Sequence, residues 1–316
     1  MKVAPGLSPA HAALRGGAKV EKLMILSVTV VPEVLRPTGG ARSLGSQLIG
    51  ECLAEIIGTF ALILIGDGMV ASAVLIGGYD NVGVAVVWGM AVMVAVYVAG
   101  GISGAHLNPA ITLAFGAFRK FPKWKMLPFM LAQVIGAFLG AAAVGLAWRE
   151  FLPSAASKFG VTIGQPGSQR VMMFLSCFYP NPGAVGTAPG DLAKVSTGTA
   201  FATEMVMTMV LLMAVLALVD SNNPQSPKSN LAPLFIGVVV TALVAIGAPI
   251  TMTALNPARD FGPRLFGYLT GWGHVALPGP RGNEWWLYIL APSVGGVLGG
   301  AIYEKVLRRS LPNPTA

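Results

Sequence analysis

Ser103-Gly104-Ala105-His106-Leu107-Asn108-Pro109-Ala110-Ile111-Thr112 and Leu255-Asn256-Pro257-Ala258-Arg259-Asp260-Phe261-Gly262-Pro263 carry the same tripeptide in hydrophobic surroundings. One Asn-Pro-Ala is noise, but these two share their upstream context. Glu55 precedes Asn108 by 53 residues and Glu204 precedes Asn256 by 52, each early in an apolar run. The chain therefore reads as one unit duplicated, with a buried acid and an Asn-Pro-Ala element in each half. Repetition of this kind constrains architecture more than any single motif.

Composition decides the solvent. Of 316 residues, 54% are hydrophobic and 11% charged, and mean hydropathy is +0.69. Soluble domains carry about 25% charged residues, so this chain belongs in a membrane. Cys52 and Cys177 lie far apart, without metal-ligand or disulfide spacing, and no metal or cofactor is expected. The net charge of +8 would hint at nucleic acid in a soluble protein. Here the charges sit beside apolar runs as topology signals, so no nucleic-acid partner is expected.

Six segments approach the roughly 20 apolar residues that a span needs: 49–72, 83–103, 126–149, 198–219, 231–250 and 285–308. Two shorter apolar stretches, 107–118 and 255–266, begin at the Asn-Pro-Ala copies and are too short to cross. Each opens with a capping Asn followed by a Pro suited to the first helical position. They read as half-helices that enter the membrane and stop midway. Three spans per half is an odd number, so the second repeat runs opposite to the first. The expected fold is an all-α membrane protein of six transmembrane helices and two re-entrant half-helices in an inverted repeat.

Domain boundaries follow: an amino-terminal extension (1–48), a channel domain (49–309) and a tail (310–316). The channel domain divides into repeats at about 49–150 and 198–309, joined by an outside loop, 151–197. With an inside amino terminus, the inside segments carry 14 lysines and arginines and the outside segments six, leaving Arg259 at membrane depth. That bias places both termini in the cytoplasm. The apolar stretch Leu23–Val31 is too short to span and lacks a cleavage site. The extension is read as disordered or as an upstream-assigned start, with Met24 as a candidate. Tyr179-Pro180-Asn181-Pro182 in the loop reads as turn chemistry.

Non-helical backbone cannot face lipid, so two re-entrant segments imply a protein-lined cavity. Half-helices meeting end to end would bring Asn108 and Asn256, with two positive helix ends, to one mid-membrane point. Such a point attracts a neutral solute oxygen and repels cations. Each asparagine also serves as an ordinary cap, and the two roles are compatible. The approaches Gly100–His106 and Gly247–Ala254 are expected to be extended, with carbonyls along one wall at Gly104, Ala105, His106, Met252 and Ala254. Apolar side chains opposite would complete a lining suited to a polyol. Glu55 and Glu204 are expected to accept loop N–H groups, since a buried carboxylate is costly unless paired. Arg259 must face water or a partner, and its fork can bind successive hydroxyls. Trp88 is left open between lipid and pore. Asp67 is read near the outer end of the first span, either in a vestibule or simply exposed.

These motifs resemble the major intrinsic protein family and, within it, the glycerol facilitators (aquaglyceroporins), over about residues 49–309. The resemblance implies a passive channel for glycerol or other small polyols and water, with urea as a further candidate, that excludes protons and ions. It also implies a homotetramer with a pore in each subunit, in the plasma (inner) membrane lipid bilayer, and no enzymatic activity. It further implies pore residues Asn108, Pro109, Ala110, Asn256, Pro257 and Ala258, and a selectivity filter containing Trp88, Thr253 and Arg259. Asp260, read as support for Arg259, and Pro292 resemble the glycerol branch. Of three histidines, His11, His106 and His274, none lies in the fifth span, where water-selective members place one. The fifth-span filter residue stays open among Val244 to Gly247. Thr253 departs from the aromatic that the best-known glycerol channels carry there, which implies a wider filter. The alternatives are a water-selective channel, a proton-coupled secondary transporter, whose only acids for the task are Glu55, Glu204 and Asp67, and a membrane enzyme, for which His106 has no partner groups.

Overall fold

In the computed structural model, residues 43–312 are described, and the expectations placed on 1–42 and 313–316 lie outside the described residues. Six long helices form the body: α1 (Leu44–Ala71, continued by a wide turn to Ile76), α2 (Asn81–Ser103), α4 (Lys123–Trp148), α8 (Thr197–Val219), α9 (Ala232–Thr251) and α11 (Glu284–Ile302). All six are long and apolar enough to cross a membrane, as an integral, multi-pass membrane protein requires. Two short helices begin at the Asn-Pro-Ala copies, α3 (Pro109–Phe118) and α10 (Pro257–Gly267). The 151–197 segment holds three further short helices, α5 (Leu152–Phe159), α6 (Gln169–Met172) and α7 (Pro189–Leu192). Among the described residues there is no strand.

The helices are sorted by side-chain size rather than by polarity. On α4, Leu127, Leu131, Ile135 and Leu139 recur every four residues and are exposed, whereas Gln133, Gly136, Ala137 and Gly140 face inward and are buried. Lipid solvates the large apolar face, and small residues let backbones approach. The closest approaches are themselves duplicated. A Cβ on Gly136 would sit 2.3 Å from the Ile56 carbonyl oxygen, and one on Gly295 would sit 2.1 Å from that of Met205. Ile56 follows Glu55 directly, as Met205 follows Glu204. Where α2 meets α9, Gly89 and Gly237 face each other's carbonyls, with built Cβ distances of 2.4 and 2.5 Å. The same stitch thus closes each half, and a reciprocal one joins the halves.

One expectation needs correcting. The approaches to the motifs are not extended from Gly100 or Gly247: α2 continues to Ser103 and α9 to Thr251, past Pro249. Only 104–107 and 252–255 leave the helical path, and they do so through left-handed residues, with φ of 50° at Ala105, 54° at Leu107, 53° at Thr253 and 57° at Leu255. The 151–197 segment is also more than a surface connection. Residues 171–179 are buried and pack against the second motif.

Candidate functional site: the paired Asn-Pro-Ala core and the arginine cluster

Each half-helix starts where its sequence says it should. The Asn108 side-chain oxygen accepts from Ala110 N at 2.8 Å, and that of Asn256 accepts from Ala258 N at 2.9 Å and Arg259 N at 3.3 Å. Pro109 and Pro257 occupy the first helical position, where no N–H is needed. The two amides then cross-brace: Asn108 Nδ2 donates to the Leu255 carbonyl and Asn256 Nδ2 to the Leu107 carbonyl, both at 2.8 Å. Each amide nitrogen carries two hydrogens, so one fixes the partner half and one remains to donate. Ala110 and Ala258 are fully buried, letting the helix starts meet.

The strained loops upstream are held by the two acids. Glu55 accepts from His106 N at 2.9 Å, Leu107 N at 2.6 Å, Ser103 Oγ at 2.6 Å and Gln133 Nε2 at 2.8 Å. Glu204 accepts from Ala254 N at 3.0 Å, Leu255 N at 3.1 Å and Thr251 Oγ1 at 2.6 Å. A left-handed non-glycine residue costs roughly 1–2 kcal/mol. Two charge-assisted backbone bonds per acid offset that cost. With N–H groups turned to the carboxylates, the loop backbone lines a cavity of about 200 Å³. Gly104, Ala105, His106, Thr253 and Ala254 are among its lining, together with the apolar side chains of Leu62, Val92, Leu211, Val215 and Val240. Met252 lies at the second, wider cavity of about 500 Å³ on the 151–197 side. His106 touches the first cavity while its ring packs among Phe115, Phe121 and Phe129, with Nδ1 3.1 Å from Thr112 Oγ1.

Between the two cavities stand Trp88, Val244 and Arg259, the residues that line both. Trp88 faces inward and is 7% exposed, with the Arg259 guanidinium carbon 4.4 Å from its ring centroid. Gly66 lies directly behind it, where a Cβ would meet the indole at 2.4 Å. Of the four fifth-span candidates, Val244 lines the passage. Gly247 instead makes room for Thr253, whose Oγ1 would be 2.5 Å from an added Cβ. Thr253 lines the narrower cavity, and its hydroxyl oxygen, buried beside Gly247, has no hydrogen-bond partner in the protein.

Asp260 does not pair with Arg259. Its carboxylate takes Arg264 at 2.7 and 3.1 Å and the Cys177 backbone N–H at 2.7 Å. On a helix, i,i+4 residues share a face, so Arg264 outcompetes an adjacent residue that projects elsewhere. Asp260 acts on Arg259 through the 171–179 segment, where the Leu175 carbonyl accepts from Arg259 NH1 at 3.2 Å. The carboxylate facing Arg259 is Asp67, fully buried on α1 with Oδ1 3.3 Å from NH2. Of the two readings of Asp67, simple exposure is thus overturned, and in a vestibule it would line a cavity, which it does not. Sequence reasoning missed Arg264 and the Leu175–Cys177 carbonyls as well. The available signals were an Asp–Arg pair at i,i+4 and an unexplained acid inside an apolar run.

Away from this site, Asp220 gathers Arg119, Arg308 and Tyr303 at the opposite end of the bundle. Burial pushes its carboxyl up, but the Asn222 N–H, both arginines and the Tyr303 hydroxyl outweigh it, leaving it below the usual carboxylate range. Among the described residues, no cluster of three or more His, Cys, Asp or Glu could hold a metal ion.

Comparisons place this geometry among known proteins. Residues 42–303 match the family model described as Major intrinsic protein. The chain is 40% identical over 272 residues to the glycerol uptake facilitator protein of Escherichia coli K12, covering 84% of this chain and 91% of that one. It is 38% identical over 276 residues to human Aquaporin-9, covering 86% and 87%. Among solved structures, the aquaglyceroporin from Plasmodium falciparum aligns with a TM-score of 0.69 at 26% identity, covering 82% of this chain and 97% of that one. With its duplicated capped half-helices and six spans, the chain belongs to the major intrinsic protein family.

Proposed function

We propose that this protein is a passive channel for glycerol and related small neutral solutes, with water, that excludes protons and ions. The carrying observation is the cross-braced asparagine pair at a cavity lined by both motif loops and by apolar side chains. A polyol has hydroxyls on one edge and carbons on the other, and such a lining satisfies both. Two helix amino ends at the centre and Arg259 toward the 151–197 side raise the cost of a cation, including hydronium. The relatives named for glycerol uptake support this choice of solute over a water-only pore.

Trp88, Val244, Thr253 and Arg259 form the selectivity filter in this reading, and Glu55 and Glu204 hold the carbonyl walls in place. Thr253 leaves the filter wider than an aromatic would, so solutes bulkier than glycerol also pass. The 151–197 loop faces outside, both termini face the cytoplasm, and four copies assemble in the plasma membrane, each repeat (about 49–150 and 198–309) contributing half of the pore. The exposed apolar faces of α1, α2 and α4 offer surface for lipid and neighbouring copies. A proton-coupled transporter would need an acid free to titrate and in reach of the passage; Glu55 and Glu204 are occupied by three or four donors each, and Asp67 faces Arg259 and lines neither cavity.

Stopped-flow light scattering on proteoliposomes tests this reading. Glycerol influx should be far above that of empty vesicles, linear with concentration and indifferent to a proton gradient. Flux that saturates and follows the gradient would make the protein a transporter, and water flux without glycerol flux would make it a water channel.

A further inference from the structure

Asp67 is the charged group that the proposed channel does not yet use. It is fully buried, and apart from the 3.3 Å approach to Arg259 NH2, neither of its carboxylate oxygens has a hydrogen-bond partner. A buried carboxylate with so little compensation is expensive. Simple charge balance on Arg259 explains its presence but not its place.

The internal duplication supplies a control. Asp67 stands 12 residues after Glu55, and Leu216 stands 12 after Glu204; Arg259 stands three after Asn256, and Ile111 stands three after Asn108. The same two structural positions thus hold a charged pair on the 151–197 side and an apolar pair on the other. The frame does not require an acid at this point of the helix, because the other half is built without one. Asp67 goes with the arginine.

Its contacts say how it acts. The guanidinium lies over Trp88, with NH1 tied to the Leu175 carbonyl and NH2 facing Asp67. Asp67 does not line either cavity, so it draws the guanidinium from behind the wall. We propose that Asp67 is a specificity-determining positioning residue: it holds Arg259 back against Trp88, so that the constriction admits polyols longer than glycerol. This rests on the reading of Trp88, Thr253 and Arg259 as the filter. Without the acid, the guanidinium keeps the Leu175 carbonyl and the Trp88 face but loses its hold from behind the wall, and turns toward the passage.

The test compares wild type, Asp67→Asn and Asp67→Leu in proteoliposomes, measuring water, glycerol and a five-carbon polyol, with thermal melting of each detergent-purified protein. The expected result is a five-carbon-polyol-to-water ratio about five-fold lower in both variants, with glycerol reduced less. On an Arg259→Ala background neither substitution should change that ratio, because Asp67 acts through the arginine. Ratios equal to wild type overturn the proposal. So does a uniform loss of all fluxes, or failure of both variants to assemble, since either makes Asp67 purely structural. A wild type with no glycerol flux above empty vesicles would instead remove the channel reading itself.

Discussion

The two halves of the passage are the same frame with different linings. Shifted by the 148 residues that separate the asparagines, Trp88, Val244, Thr253 and Arg259 correspond to Ile236, Val96, Ala105 and Ile111. All eight line the narrower cavity. The frame is repeated almost residue for residue: an acid on the first helix, Ser103 or Thr251 bonding it, two loop N–H groups on its oxygens, a capping Asn and a Pro. The linings differ in every respect that matters to a solute. At these four positions one side has an arginine, a tryptophan, a threonine and a valine, and the other has only aliphatic side chains. Folding constrains the frame in both copies, whereas discrimination needs only one polar constriction.

The frames also differ in one detail, which gives the largest expected effect. Gln133 adds a fourth donor to Glu55 and ties it to Thr112. The position of α11 that corresponds through the glycine stitches is Pro292, which cannot do this; there Tyr288 OH donates to the Thr251 carbonyl instead. Removing either acid strands two buried N–H groups at about 1–3 kcal/mol each. Glu55→Ala should therefore lower the melting temperature more than Glu204→Ala, because it also strands Gln133. Equal losses, read by thermal unfolding in detergent, would show that the fourth donor contributes nothing.

The helix stitches come next. Gly136→Ala and Gly295→Ala both push a methyl into a facing backbone carbonyl, and overpacking of this kind costs about 1–3 kcal/mol. The account expects similar destabilisation from the two, visible as reduced yield and lower melting temperature, with unchanged solute ratios in whatever protein assembles. A changed ratio would place selectivity in helix packing rather than in the lining.

Asp220 should give a smaller, pH-dependent effect. Its carboxyl lies below the usual range in the folded protein, so its contribution is fully present above the unfolded carboxylate value and is lost as pH falls through the depressed one. Asp220→Asn should lower stability at neutral pH and converge on wild type in acid. A constant difference across that range would assign the effect to shape rather than charge. Smallest of all is Ala105→Ser, which adds a hydroxyl to the aliphatic side at the residue equivalent to Thr253. Polyol-to-water ratios should move by less than about two-fold, because the constriction lies elsewhere.

Much of this was legible in the residues. The capping Asn and first-turn Pro announce each half-helix, and their spacing from Glu55 and Glu204 announces the duplication. The expected spans coincide with the observed helices to within a few residues. What escaped depends on contacts between segments far apart in sequence. Nothing local tells a reader that 171–179 folds down to give Leu175 and Cys177 carbonyls to two arginines. Nor does adjacency reveal that Asp260 turns to Arg264, leaving Arg259 to Asp67 on another helix. The left-handed residues at 105, 107, 253 and 255 were hidden for the same reason. None is a glycine; the acids hold Leu107 and Leu255 by their N–H groups, the Asn256 and Asn108 amides hold the carbonyls of the same two residues, and the Ser103 and Thr251 hydroxyls accept from Ala105 and Thr253.

The claim that the 151–197 side of the passage alone decides what passes is tested most directly at Thr253. In proteoliposomes, Thr253→Phe should fill cavity space beside residue 253 and cut flux of a five-carbon polyol about ten-fold relative to glycerol, in the range that pocket size alone supports. Equal selectivity in wild type and variant would contradict the account and move discrimination to the aliphatic half or to the asparagine pair.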